Sequence, residues 1–191
     1  METFSLSALV VFLAEIGDKT QLLSLMLALQ FRAPWLISLA ILLATLLNHA
    51  VAAWFGSWVV AWISPDILQY LIAASFFTVA AWTLIPDKLD DSDGPMNGYG
   101  VFLTTLALFF VAEMGDKTQV ATVLLAAEFS ATAYSAMIMV IGGTTLGMML
   151  ANIPVVFFGE KLAERLPLQW IRRGAALLFA VLGVMALVYQ S

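Results

Sequence analysis

Glu15-Ile16-Gly17-Asp18-Lys19-Thr20-Gln21 interrupts an apolar run that extends from Phe4 to Phe31. The same pattern returns as Glu113-Met114-Gly115-Asp116-Lys117-Thr118-Gln119. Aligning Phe12–Phe31 with Phe110–Phe129 at a constant offset of 98 gives 11 identities in 20 positions. Ionisable residues inside a long apolar segment are costly and mark function. A duplicated set implies two half-sites that face each other.

The surrounding chain fits a membrane. Of 191 residues, 62% are hydrophobic and 11% charged, more apolar surface than a soluble domain of this size can hide. A basic n-region with a small-residue cleavage site is missing at the N-terminus, so the first apolar segment is expected to stay as a span. There is no Cys, which excludes disulfides and thiolate chemistry. No basic patch supports nucleic-acid binding.

A span needs about 20 apolar residues. Six segments qualify: Phe4–Phe31, Trp35–Trp62, Ile67–Leu84, Tyr99–Phe129, Ala133–Phe158 and Leu168–Tyr189. Trp35, Trp62, Tyr70, Trp82, Tyr99, Tyr134, Trp170 and Tyr189 lie near their ends, as an interfacial belt requires. Trp54 and Trp58 read instead as core filler. Pro34 and Pro65 open new helices after tight turns, and Thr132 reads as a helix cap. The segment Glu160–Arg173 reads as an amphipathic stretch lying at the interface. The predicted fold class is an all-α integral membrane protein of six transmembrane helices.

Residues 1–85 form a first three-helix repeat, 86–98 an acidic linker, and 99–191 a second repeat. Arg32, Lys88, Lys161, Arg165, Arg172 and Arg173 all fall on one side of this arrangement, and the other side has no Lys or Arg. The basic side, with the linker, is therefore expected in the cytoplasm and both termini outside. Three spans per repeat is an odd number, so the second repeat runs inverted relative to the first. Glu15 lies about 11 residues into its span and Glu113 about 14 into its own. At 1.5 Å per residue both come to about 16–21 Å depth, near the midplane of a core about 30 Å thick.

On a continuous helix Glu15, Asp18 and Gln21 share a face, as do Glu113, Asp116 and Gln119. Facing stripes would surround one space with four carboxylates and two carboxamides. Such hard oxygen ligands suit Mn²⁺, Ca²⁺ or Mg²⁺; Zn²⁺ and Cu⁺ would call for His or Cys, and the chain has one His. Gly17 and Gly115 permit a local helix break or close helix approach, and Thr20 and Thr118 can mend freed backbone groups. Four carboxylates against Lys19 and Lys117 leave two negative charges, which one divalent cation neutralises. Lys19 and Lys117 read as ion-pair partners of the acids. Protons and metal compete for the same oxygens, which gives cation/proton exchange a physical basis.

Asn48 and Asn152 occupy roughly corresponding places in the two halves, each ahead of a Phe-Gly pair, and are candidate supporting residues. His49 follows Asn48 and reads as a satisfied buried histidine, with proton handling as the alternative; it has no counterpart in the second half, which counts against core site membership. Pro154 should kink the fifth span. Gly142, Gly143 and Gly147 read as helix packing, the Met residues as packing too, and Glu128 as a span-end residue.

At its two motifs the sequence resembles the GDT-type family of six-span proteins with paired E-x-G-D-[KR]-[TS] signatures. That family includes Golgi manganese/calcium transporters of eukaryotes and manganese exporters of bacteria. The resemblance covers almost the whole chain, and both motifs are intact. It implies secondary active export of Mn²⁺ or Ca²⁺ from the cytoplasm in exchange for protons. Glu15, Asp18, Glu113 and Asp116 would bind the cation, with Thr20, Gln21, Thr118 and Gln119 nearby. Within that family, a short chain without an N-terminal targeting extension is expected to be a bacterial or archaeal plasma-membrane member, and the arrangement is more distantly similar to calcium/cation antiporters and lysine-exporter-like carriers. The metal is cargo, and no cofactor is expected. The bilayer is the surrounding partner, and a monomer suffices to hold both half-sites. The alternative is a channel, or an exporter of small organic cations, using the same acids. An intramembrane metalloprotease is disfavoured, since H-E-x-x-H and a second His are missing; the chain is not expected to be an enzyme.

Overall fold

A computed structural model of the chain describes residues 2–85, 100–129, 134–158 and 168–188. Regular structure among them is helical: α1 (Glu2–Glu15), α2 (Lys19–Phe31), α3 (Pro34–Val60), α4 (Pro65–Thr83), α5 (Val101–Glu113), α6 (Lys117–Phe129), α7 (Tyr134–Phe158) and α8 (Leu168–Val188). The acidic linker, Thr132 and most of the expected amphipathic stretch fall outside the described residues.

The segments expected as first and fourth spans are not continuous helices. Each is two half-helices, α1 with α2 and α5 with α6, separated inside the motif. The cause is local. Gly17 has φ 79° and Gly115 φ 74°, left-handed values that glycine adopts without a Cβ penalty and that end an α-helix. At 1.5 Å per residue each half-helix is about 20 Å long, so two are needed to cross a bilayer. The breaks anticipated from Gly17 and Gly115 are therefore present, and the continuous polar stripe drawn from Glu15 to Gln21 is not.

Two described helices, Pro34–Val60 and Ser135–Phe158, are each long and apolar enough to cross a membrane unaided. Both sit at the centre of the packing. The α3 helix lies against α5 and α6, and α7 lies against α1 and α2. Each long helix thus supports the broken pair of the other half of the chain. The two long helices also touch each other, and α4 runs along α8, where Phe76 and Phe179 stack at 6.4 Å.

The exterior is apolar, while the interior combines apolar clusters with buried polar and charged residues. On α3, Ile37, Ile41, Ala44, Asn48, Ala52 and Gly56 recur at helical spacing on the buried face. Leu39, Leu43, Leu47, Val51, Trp54 and Trp58 face outward. Trp54 and Trp58 are 59% and 48% exposed, so they are not core filler as the sequence suggested; they belong to an apolar outer surface of the kind lipid covers. Trp35, Trp62, Tyr70 and Trp170 are exposed near helix ends as expected, Trp170 beneath the Arg173 guanidinium at 5.1 Å. Inside lie Glu15, Asp18, Asn48, His49, Glu113, Asp116, Lys117 and Asn152.

Small residues bring the helices close. A Cβ on Gly143 would stand 2.4 Å from the Phe4 carbonyl oxygen of α1, and one on Gly147 2.4 Å from that of Ala8. Gly142 meets the Phe4 ring. The packing role expected of these three glycines is therefore met. Gly56 does the same for α3 against α6, where a Cβ would come within 2.3 Å of the Val123 carbonyl oxygen. Pro154 lies inside α7.

Candidate functional site

Each motif builds its own helix start. Asp18 is extended at φ −85°, ψ 168°, and caps α2, its Oδ1 accepting the Lys19 N–H at 2.6 Å. The Lys117 N–H donates to Asp116 Oδ1 at 2.8 Å in the same way. Three residues on, the glutamines reach back: Gly17 N–H donates to Gln21 Oε1 at 2.8 Å, and Gly115 N–H to Gln119 Oε1 at 2.6 Å. This is a capping-box arrangement displaced by one residue. The signal was present in the sequence as Asp-x-x-Gln after a glycine. The polar-stripe reading passed over it, and gave the mending role to the threonines.

The threonines differ. Thr118 Oγ1 donates across the break to Glu113 Oε1, tying the end of α5 to the start of α6. Thr20 is fully buried, and its hydroxyl has no hydrogen-bond partner.

Glu15 and Glu113 are the last residues of α1 and α5 and are fully buried. Asn152 of α7 donates to Glu15 Oε1 at 3.0 Å, and is itself held by Ser24 Oγ at 2.8 Å. Gln21 Nε2 donates to the Ala151 carbonyl at 3.0 Å, fixing α2 to the same turn of α7. In the other half, Asn48 Nδ2 donates to the Phe110 carbonyl at 3.0 Å, and Gln119 Nε2 lies 3.4 Å from Asn48 Oδ1. The Phe110 carbonyl is available because the Met114 N–H turns to Val111 at the end of α5. Both asparagines thus serve the broken pair of the opposite half; Asn152 touches an acid and Asn48 touches backbone and amide.

The two motifs meet. Lys117 Nζ of the second stands 3.0 Å from Asp18 Oδ2 of the first, both buried. Glu15 lies within electrostatic range of Asp18, Glu113 and Asp116, and Asp116 within range of Lys19. Lys117 thus pairs with an acid across the junction, and Lys19 lies within electrostatic range of one. Glu15 Oε2, Glu113 Oε2 and Asp116 Oδ2 are buried with no hydrogen-bond partner. Unpaired buried carboxylate oxygens are expensive and call for a cation or a proton. Among the described residues no three acid or imidazole side chains stand close enough together to chelate a metal ion. His49, also fully buried, places Nε2 3.8 Å from Glu113 Oε1.

Buried acids carried on two helix breaks, inside a protein with an apolar exterior, are consistent with a membrane carrier of cations. The chain belongs to the family described as divalent cation/proton antiporter GDT1, which matches residues 3–91 and 101–191. It is 50% identical over 184 residues to a Vibrio cholerae protein named "Putative manganese exporter", covering 96% of this chain and 90% of that one. It is 26% identical to a GDT1-like protein of Synechocystis, over 97% of both chains. It is 22% identical to GDT1-like protein 5 of Arabidopsis thaliana, over 98% of this chain and 96% of the plant protein. No solved structure matches.

Proposed function

We propose that this chain exports Mn²⁺ from the cytoplasm across the plasma membrane in exchange for protons, with Ca²⁺ as the second cargo to test. Its fold is read as six spans in two inverted three-helix repeats, residues 1–85 and 99–191, joined by an acidic cytoplasmic linker, with both termini outside. No covalent step is involved, and the chain is not an enzyme. The observation that carries the reading is the junction of the two breaks, where acids of both halves are buried together and Lys117 of one motif pairs with Asp18 of the other. The reciprocal support of each broken pair by the long helix of the other half favours the inverted repeat. The 50% identity to the Vibrio cholerae protein supports manganese as cargo.

Glu15 and Glu113 stand at helix C-termini, where freed carbonyls already present negative ends. A cation there neutralises both carboxylate and dipole. Asp18 and Asp116 begin the following half-helices and supply the other oxygens, and Asn152 orients Glu15. The acids are not gathered into a chelate in this conformation, so binding and rearrangement are one event: the ion draws the two breaks together. Rocking of one repeat against the other then opens the junction to the outside, where protons compete for the carboxylates and release the metal.

The test is Glu15→Gln and Asp116→Asn, each assayed for Mn²⁺ transport beside a check of folding. Both should lose transport by about a hundredfold or more, beyond the roughly 10–100-fold that loss of a ligand's hydrogen-bond partner costs, while remaining folded in detergent. Wild-type transport by either variant contradicts the four-carboxylate site.

A further inference from the structure

His49 breaks the symmetry of the site. Asn152 of α7 reaches Glu15 of the opposite half, and His49 of α3 stands in the same relation to Glu113, so an imidazole, from the one histidine of the chain, takes the place that an amide holds on the other side. On α3 it lies on the buried face and is fully enclosed. Its Nε2 points to the Glu113 carboxylate at 3.8 Å, and neither ring nitrogen has a hydrogen-bond partner. A buried imidazole kept only for packing would normally place at least one nitrogen on a donor or acceptor. Glu113 is similarly placed: Oε1 is held by Thr118, and Oε2 has no partner.

The separation fits a shared ion. Metal–ligand bonds of about 2.1 Å on each side sum to slightly more than the 3.8 Å between Nε2 and Oε1, so one cation can bridge the two. We infer that His49 is a specificity-determining ligand, adding one nitrogen donor to an otherwise oxygen-lined site and favouring Mn²⁺ over Ca²⁺ and Mg²⁺. The chemistry is direct. Ca²⁺ and Mg²⁺ take oxygen ligands, whereas first-row transition ions also accept imidazole. Four carboxylates alone discriminate little among these ions. One neutral nitrogen at the edge of the cluster tips the choice without altering the charge balance. The inference rests on the proposed carboxylate site and deepens it.

Two measurements on purified full-length protein, prepared without a histidine tag, test it. Pulsed electron paramagnetic resonance of the Mn²⁺-loaded wild type should show ¹⁴N coupling from a bound imidazole, which only His49 can supply. Equilibrium Mn²⁺ and Ca²⁺ binding to His49→Gln should show Mn²⁺ affinity lowered about tenfold and Ca²⁺ affinity within about twofold of wild type. Bound Mn²⁺ without nitrogen coupling overturns the inference while leaving the carboxylate site standing. A parallel loss of both affinities, or an unchanged ratio, overturns the selectivity role. A wild type that binds no Mn²⁺ overturns the site reading and the inference together. The resonance measurement uses no variant, so misfolding of His49→Gln cannot decide the question.

Discussion

At the scale of single residues, the motif is an instruction for breaking a helix and keeping charge at the break. Glu ends one half-helix, Gly turns the chain at positive φ, Asp caps the next, and Gln satisfies the glycine N–H. Nothing lies within 4 Å of where a Cβ on Gly115 would sit, so glycine is needed there for its backbone angle, not for space. Lys117 is the residue whose burial most needs its partner. Lys117→Met leaves Asp18 facing its acidic neighbours without that ammonium, and removal of one member of a buried pair costs about 3–5 kcal/mol. The expected result is a marked loss of thermal stability in Lys117→Met, most of it recovered in Asp18→Asn/Lys117→Met, because asparagine still caps α2. Additive losses in this cycle, measured by thermal unfolding in detergent, contradict the coupling.

At the scale of elements, the composition and repeat of the sequence were enough to expect helices, their order and the special status of the two motifs. The break at Gly17 and Gly115 was anticipated as an option, but periodicity placed Glu15, Asp18 and Gln21 on one continuous face. A hydrophobic pattern shows which residues are buried, not whether the helix beneath them is continuous; the positive φ of one glycine decides that. The acids and lysines that meet at the junction were conspicuous in the sequence because charge stands out in an apolar run. The approach of His49 on α3 to Glu113 at the end of α5 was not, because no local spacing encodes it. The same holds for the cross-support by Asn48 and Asn152. Close helix approach yields a prediction here. Gly147 faces the Ala8 carbonyl and the Phe12 amide of α1, so Gly147→Leu must push α1 away from α7. A loss of roughly 1–3 kcal/mol is expected for such overpacking, read as a lower midpoint of thermal unfolding. An unchanged midpoint contradicts the close packing of these helices.

At the scale of the whole molecule, the distribution of residues carries the functional logic. Leucine, valine and tryptophan side chains cover the exterior, while carboxylates, lysine, histidine and asparagines meet inside. An exterior of this kind is stable in lipid, and an interior of this kind is stable only when its charges are balanced. Two acids per motif and one lysine per motif leave a deficit of two positive charges at the junction. One divalent cation meets that deficit, and so do two protons. The account therefore requires alternation between metal-loaded and proton-loaded carriers, and a coupling of metal movement to the proton gradient. The direct test is Mn²⁺ flux into proteoliposomes of the purified protein, with and without an imposed pH gradient. Saturable flux that rises when the gradient drives protons in the opposite direction is the predicted result. Flux indifferent to the gradient, or no flux from protein shown to be folded, contradicts the exchange mechanism.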